Sequence, residues 1–138
     1  MTHIQKVAIY GAGGHGKVVP ETLLAQQEAG ASIEIYGWLD ANVERHGKAF
    51  CGYPVMGGAT LFPRLKRENI AIIIALGDNE TRADIAAQMD QIGVDVYTVI
   101  HPSAVVSKSA IVGRGCMIIT RAVVHPDDLL EARAVVAH

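Results

Sequence analysis

The residues best suited to chemistry in this chain lie where a strand-like run stops and a helix-like run begins. Gly11, Gly13 and Gly16 have the spacing G-x-G-x-x-G, with Gly14, His15 and Lys17 interleaved. In that pattern the first glycine makes a tight turn, the second lets the backbone approach a phosphate, and the third lets the next helix pack closely on the sheet. Free N–H groups at the helix start then face an anion. Two more groups are placed to join them. Asp40 directly follows a second apolar run, where an acid either holds a ribose or sugar hydroxyl or caps the loop Asp40-Ala41-Asn42. Gly77, Asp78 and Asn79 follow the most apolar run of the chain, and Arg82, one turn into the next helix, can reach back towards a diphosphate.

Such residues need a sheet to hold them. Val7 to Tyr10 is a nearly continuous apolar run, as expected of a central strand covered on both faces. Gly16 to about Ala29 reads as a helix with Val18, Val19, Leu23 and Leu24 facing inward and Gly30 closing it; Pro20 fits only in its first turn. Ile33 to Leu39 supplies a second strand. The turn-rich segment Ala41 to Gly58 reads as a surface loop with at most a short strand at Val55-Met56, and His46 within it as a solvated side chain. Thr60 is expected to cap a helix running to about Glu68, with Pro63 in its first turn. Ile70 to Leu76 is a buried parallel strand, Asp78 or Asn79 caps a helix that Gly93 ends, and Val94 to Ile100 closes the sheet. About four strands thus alternate with three helices, roughly one mononucleotide-binding half of a doubly wound, Rossmann-like α/β fold over residues 1–100.

Composition narrows the classes. A chain of 138 residues, 50% hydrophobic, can bury one core or one core plus a small appendage. A formal charge of -2 without any basic run leaves no electrostatic footprint for nucleic acid, so an anionic ligand has to be held by a local site. No apolar run approaches the ~20 residues of a membrane span and no signal layout opens the sequence, so a cytoplasmic protein is expected. Cys51 and Cys116 stand far apart, outside any disulfide or zinc pattern, and are expected to be small buried hydrophobes; no metal is expected.

After Ile100 the grammar changes. Every sixth residue is aliphatic: Val106, Val112, Ile118, Val124, Leu130 and Val136. Ala104, Ala110, Cys116, Ala122 and Ala134 stand two places before five of them, with Asp128 the exception. Val105, Ile111, Met117, Val123, Leu129 and Val135 fill the places between. A period of six is the mark of a parallel β-helix, in which each hexad forms one face of a triangular coil and its aliphatic residue points to the axis. Residues 101–138 therefore read as the start of a left-handed parallel β-helix of hexapeptide repeats, about two coils long. The pattern is still running at His138, so either a longer chain or self-association is expected to cover the open end, and the outward aliphatic row also asks for a cover.

Taken together, the two parts resemble the bacterial sugar O- and N-acyltransferases of the sialic acid O-acetyltransferase type, which include acetyltransferases of UDP-4-amino sugars. The resemblance is carried by Gly11-Ala12-Gly13-Gly14-His15-Gly16-Lys17, Gly37-Trp38-Leu39-Asp40, Gly52-Tyr53-Pro54-Val55-Met56-Gly57-Gly58, Ala75-Leu76-Gly77-Asp78-Asn79-Glu80-Thr81-Arg82 and Ile100-His101-Pro102-Ser103-Ala104. It implies an acetyl-CoA-dependent acetyltransferase whose N-terminal domain grips a UDP-sugar or related substrate. It also implies a β-helix that forms a homotrimer and binds acetyl-CoA between subunits. On that likeness the glycine turn with His15 and Lys17 holds the diphosphate, and Asp40, Gly77, Asp78, Asn79 and Arg82 line the same cleft. The catalytic base falls on His138 in Ala134-Val135-Val136-Ala137-His138, with His125 its rival. The acid that orients this base in the family, and the later coils that contact acetyl-CoA, find no counterpart in the sequence. Two other readings stand beside it. One is an NAD(P)-binding module of an oxidoreductase or redox sensor, and the other a non-catalytic nucleotide-sugar-binding trimerisation module.

Overall fold

The structure, a computed structural model, describes residues 3–118, 123–126, 128–130 and 135–136. Strand β1, Gln5–Tyr10, lies inside a five-stranded sheet with β2, Ile33–Leu39, on one side and β5, Ala71–Ile74, on the other. Beyond β2 come β4, Tyr53–Gly57, and β3, Ala49–Phe50, giving the order β3-β4-β2-β1-β5. All pairings are parallel except the β3–β4 hairpin. Helix α1 spans Val18–Glu28, α2 spans Phe62–Arg67 and α3 spans Asn79–Ile92.

The apolar runs are continuous because both faces of the sheet are covered. Along β1, Val7 and Ile9 join Val19 and Leu23 of α1, while Ala8 and Tyr10 join Phe62 and Leu65 of α2 and Ile85 and Met89 of α3. Alternation along β5 divides Ile73 from Ile72 and Ile74 in the same way. This is the period of two expected of a strand between two helical layers.

The glycine turn is dictated by contact. Gly11 has φ +117°, and a Cβ there would stand 2.7 Å from the Ala75 carbonyl oxygen. At Gly16 a Cβ would run into the Gly11 carbonyl oxygen and stand 2.7 Å from Trp38 Cζ3. Gly13 and Gly14 face open space, with Arg45 Nη1 at 3.8 Å the nearest atom to a Cβ on Gly13. A 3₁₀ turn at Gly14–Gly16 leads into α1, and Pro20 falls in its first turn, where the missing N–H is no loss.

Several expectations need correction. Leu24 is exposed, and the inward place on α1 is taken by Thr22, whose Oγ1 donates to the Val18 carbonyl at 2.9 Å. Thr60 lies within a 3₁₀ turn, Ala59–Leu61, and makes no cap. The segment before it is a hairpin. Cys51 (φ 47°) and Gly52 (φ 82°) form its two-residue turn, and β4 pairs with β2 as well. Cys51 is therefore exposed, whereas Cys116 is buried. Val94 to Ile100 is not one strand. Val96 alone bridges Ile72, while β6, Val99–Ile100, leaves the sheet for the tail.

In the tail each hexad carries a two-residue strand: β7 at Val105–Val106, β8 at Ile111–Val112, β9 at Met117–Ile118, β10 at Val123–Val124, β11 at Leu129–Leu130 and β12 at Val135–Val136. They pair in parallel, Val123 beside Val105, Leu129 beside Ile111 and Val135 beside Met117, each eighteen positions on. Ile118 and Val124 are buried with Ile100, Ala104, Val106, Ala110 and Val112 around them. Val105 (62%), Ile111 (64%), Val123 (49%) and Leu129 (66%) are exposed, but Met117 is buried in the α1-side core.

Gly16→Ala is expected to cost about 2 kcal/mol through overpacking against the Gly11 carbonyl and Trp38. Gly14→Ala is expected to stay within about 0.5 kcal/mol. Urea unfolding of both variants checks this, and equal losses would show that the Trp38 contact is not what keeps residue 16 a glycine.

Candidate functional site

The carboxyl ends of β1, β2 and β5 meet at the glycine turn, the edge at which open α/β sheets bind ligands. Asp40, at the end of β2, ties this edge together. One of its oxygens accepts from the Ala12 N–H (2.8 Å) and from Arg45 Nη1 (3.0 Å); the other accepts from the Asn42 N–H (2.9 Å). The same Arg45 Nη1 donates to the Ala12 carbonyl at 2.8 Å. Both Asp40 oxygens are thus engaged in holding the two loops, the capping alternative named for this residue, and the hydrogen bonds offset the cost of burying the charge. His46 is not merely solvated: its Nε2 lies 2.7 Å from the Asp40 carbonyl oxygen and closes the same loop. Burial, and then the nearby Asp40 charge, raise the pKa of Tyr10.

Three cavities form one groove across the turn. The central one, about 100 Å³, is lined by Gly11, Gly13, Gly14, His15, Asp40 and Gly77, with Arg45, Ala75 and Leu76. A second, about 350 Å³, shares Gly13, Gly14 and Arg45 with it and adds Lys17, Lys48, Ala49, Phe50 and Val55. A third, about 340 Å³, shares His15, Ala75, Leu76 and Gly77 and adds Val18, Arg82 and Met117. The N–H groups of Gly13 and Gly14 have no hydrogen-bond partner among the described residues. Together with Lys17, Arg45 and Lys48 they make the turn a place for an anion. Gly77 gives room to His15, because a Cβ there would run into the imidazole, 2.7 Å from Cδ2.

Most residues singled out from the sequence therefore meet in this groove. Gly16 lies behind it as packing. Asp78 and Asn79 line none of the three cavities: Asp78 caps α3, accepting from the Thr81 N–H (2.8 Å) and Oγ1 (2.6 Å). The Thr81 hydroxyl first, and then its N–H, hold the Asp78 carboxyl below its ordinary pKa. His125 is exposed and belongs to none of these linings; its N–H donates to Asp128 Oδ2 at 2.9 Å, so that carboxylate meets the main chain. His138 lies outside the described residues. Arg45, Lys48, Phe50, Leu76 and Met117 were missed, although two cations closely following Asp40 were a readable signal. Among the described residues no group of three or more His, Cys, Asp or Glu side chains could hold a metal ion.

Comparison with known proteins decides the family. The PglD N-terminal domain model matches residues 6–89, the part of the chain that builds the sheet and its glycine turn. The chain belongs to this family. Curated UDP-N-acetylbacillosamine N-acetyltransferase of Bacillus subtilis (strain 168) is 34% identical over 119 residues, 83% of this chain and 51% of the relative. The acetyltransferase domain of PglB from Neisseria gonorrhoeae FA1090, in complex with acetyl coenzyme A, superposes with TM-score 0.82 at 36% identity, over 96% of this chain and 62% of that one. PerB from Caulobacter crescentus, in complex with CoA and GDP-perosamine, superposes with TM-score 0.82 at 30% identity, over 96% and 60%. The chain thus spans about half the length of the curated relative. No helix among the described residues is long and apolar enough to cross a membrane. In this PglD-type domain the Asp40 brace gives the strongest test of how the site is held. Asp40→Ala leaves two N–H groups and Arg45 without their acceptor and is expected to cost roughly 2 kcal/mol or more. Urea unfolding measures it, and a loss below about 0.5 kcal/mol would show that the loops hold without the carboxylate.

Proposed function

We propose that this chain carries the nucleotide-sugar site of an acetyl-CoA-dependent sugar acetyltransferase. The observation that carries the reading is the single groove over the glycine turn, donor-rich at its centre and reaching the tail at Met117. The diphosphate lies on the Gly13–Gly14 N–H groups with His15, Lys17 and Arg45 beside it. The sugar points to Met117, and the nucleoside occupies the opposite lobe. Family membership and relatives named as N-acetyltransferases of nucleotide-linked sugars support a sugar amine as the acceptor.

In this reading residues 1–100 form the binding domain and residues 101–138 form coils of a left-handed hexapeptide β-helix. The parallel pairing at an eighteen-residue offset and the buried inner row support the coil. Val105 with Val123, and Ile111 with Leu129, put exposed aliphatic pairs on two of its faces, and a homotrimer would cover them. Acetyl-CoA is the co-substrate. A tail histidine, His138 or His125, takes the proton as the amine attacks the thioester carbonyl; the amide bond forms and coenzyme A leaves as the thiol.

Titration calorimetry with UDP, UDP-amino sugars and NAD is expected to show binding of the uridine nucleotides. Tight NAD binding without any response to uridine or guanosine nucleotides overturns the assignment. Gly77→Ala displaces His15 and is expected to weaken UDP binding about tenfold, the loss of roughly one charge-assisted hydrogen bond. Acetyl transfer by the full-length gene product is expected to fall by at least about a hundredfold in either His138→Ala or His125→Ala. Unchanged rates in both would remove the tail histidines from the mechanism.

A further inference from the structure

The proposed function leaves open which nucleotides the far lobe accepts, and the side chains there speak to it. This inference rests on that reading, in which the sugar faces Met117 and the base lies under the β3–β4 hairpin. The lobe has the volume of a small-ligand pocket, about 350 Å³, with an apolar wall of Ala49, Phe50 and Val55. Phe50 is fixed in place: its carbonyl accepts from Trp38 Nε1 at 2.8 Å, and its ring stands edge-on to Trp38, centroids 5.0 Å apart at 68°. A flat base can lie on such a wall.

What distinguishes the lobe is the sign of its polar side chains. Those that line it are Lys17, Arg45 and Lys48, every one a donor without acceptor capacity. Arg45 commits Nη1 to the Ala12 carbonyl and the Asp40 carboxylate, at the glycine turn. Lys17 stands at the start of α1, beside the same turn. Lys48 remains. It adjoins the apolar wall in sequence, is exposed, and its ammonium group has no ion-pair or hydrogen-bond partner among the described residues.

We infer that Lys48 reads the base edge and that the lobe selects nucleotides whose base carries a carbonyl oxygen at the place of uracil O4 or guanine O6. Adenine and cytosine present an exocyclic amine at the equivalent position, a donor that an ammonium group cannot satisfy. A pocket built to hydrogen-bond one edge rejects the edge that leaves its groups unpaired.

Calorimetry of the whole chain with UDP, GDP, ADP and CDP tests this. The unmodified protein is expected to bind UDP and GDP at least about tenfold more tightly than ADP and CDP. Lys48→Met is expected to remove that preference by weakening only UDP and GDP, and Lys48→Arg to keep it. Lys17→Met, at the phosphate turn, is expected to weaken all four alike. Thermal unfolding of each variant separates a lost contact from a lost fold, since Lys48 is exposed. Equal affinity of the unmodified protein for all four nucleotides overturns the inference. So does a parallel loss of all four in Lys48→Met, which would make Lys48 a phosphate ligand and leave the proposed function standing. Binding of none of the four overturns the proposed function along with it.

Discussion

A single carboxylate fastens the binding edge of this protein. Asp40 reaches from the end of β2 into the turn after β1, accepting from Ala12, Asn42 and Arg45. A charge 8% exposed at the level of the residue is tolerable because three donors meet it, one of them a cation. The consequence reaches beyond Asp40 itself. With Ala12 N–H spent on Asp40, the next two N–H groups of the turn are left to point elsewhere, and Arg45 is drawn across the groove. On the proposed reading the acid therefore shapes an anion site without touching the anion.

The second constraint is the joint between sheet and tail. β6 leaves the sheet after Val96 and pairs with β9, which pairs in turn with β12, so one face of the tail is a three-strand ladder. Met117 of that ladder packs into the α1-side core, Gln26 of α1 donates to the Ile100 carbonyl at 3.0 Å, and Thr98 Oγ1 accepts from the Gly115 N–H at 2.9 Å. Among the described residues Met117 of this ladder is buried, whereas Val105, Ile111, Val123 and Leu129 of the other two ladders are exposed. The same hexad pattern thus serves two ends, joining tail to sheet on one side and leaving apolar surface on the others.

How much of this was legible can be argued residue by residue. The roles of Gly11 and Gly16 could be read because backbone sterics alone assign them. The caps at Asp78 and Gly93, and the strand through Ile72, follow from local chemistry in the same way. The hairpin was missed because its turn is Cys51-Gly52, not the Asn-Gly or Asp-Gly that positive φ at both places normally selects. Leu24 misled because helical periodicity fixes a face but not the width of the buried stripe; Thr22 could enter the core once its hydroxyl bonded Val18. Val94 to Ile100 reads as one strand, since nothing local says that its second half pairs eighteen residues ahead. Arg45 and Lys48 carry no local signal beyond their charge, and His46 reads as solvated because its loop is rich in turn formers. Arg45 and His46 are placed by their bonds to Asp40, and Lys48 by main-chain bonds to Arg45 and Val55.

The groove also shows how binding and proton transfer are divided on the proposed reading. Sheet-borne groups around it are nearly all donors: main-chain N–H groups, Lys17, Arg45, Lys48 and Arg82. Asp40, the one acid in the lining among the described residues, has both oxygens engaged. His15, the one imidazole there among the described residues, stands at the turn, on the stretch assigned to the diphosphate. Such a surface suits an anion and is poor at removing a proton. Where the groove meets the tail its wall is Met117, whose thioether is only a weak acceptor. On the proposed reading the base for an attacking amine comes from the tail, and nothing in the grip on the nucleotide requires that it come from the same subunit.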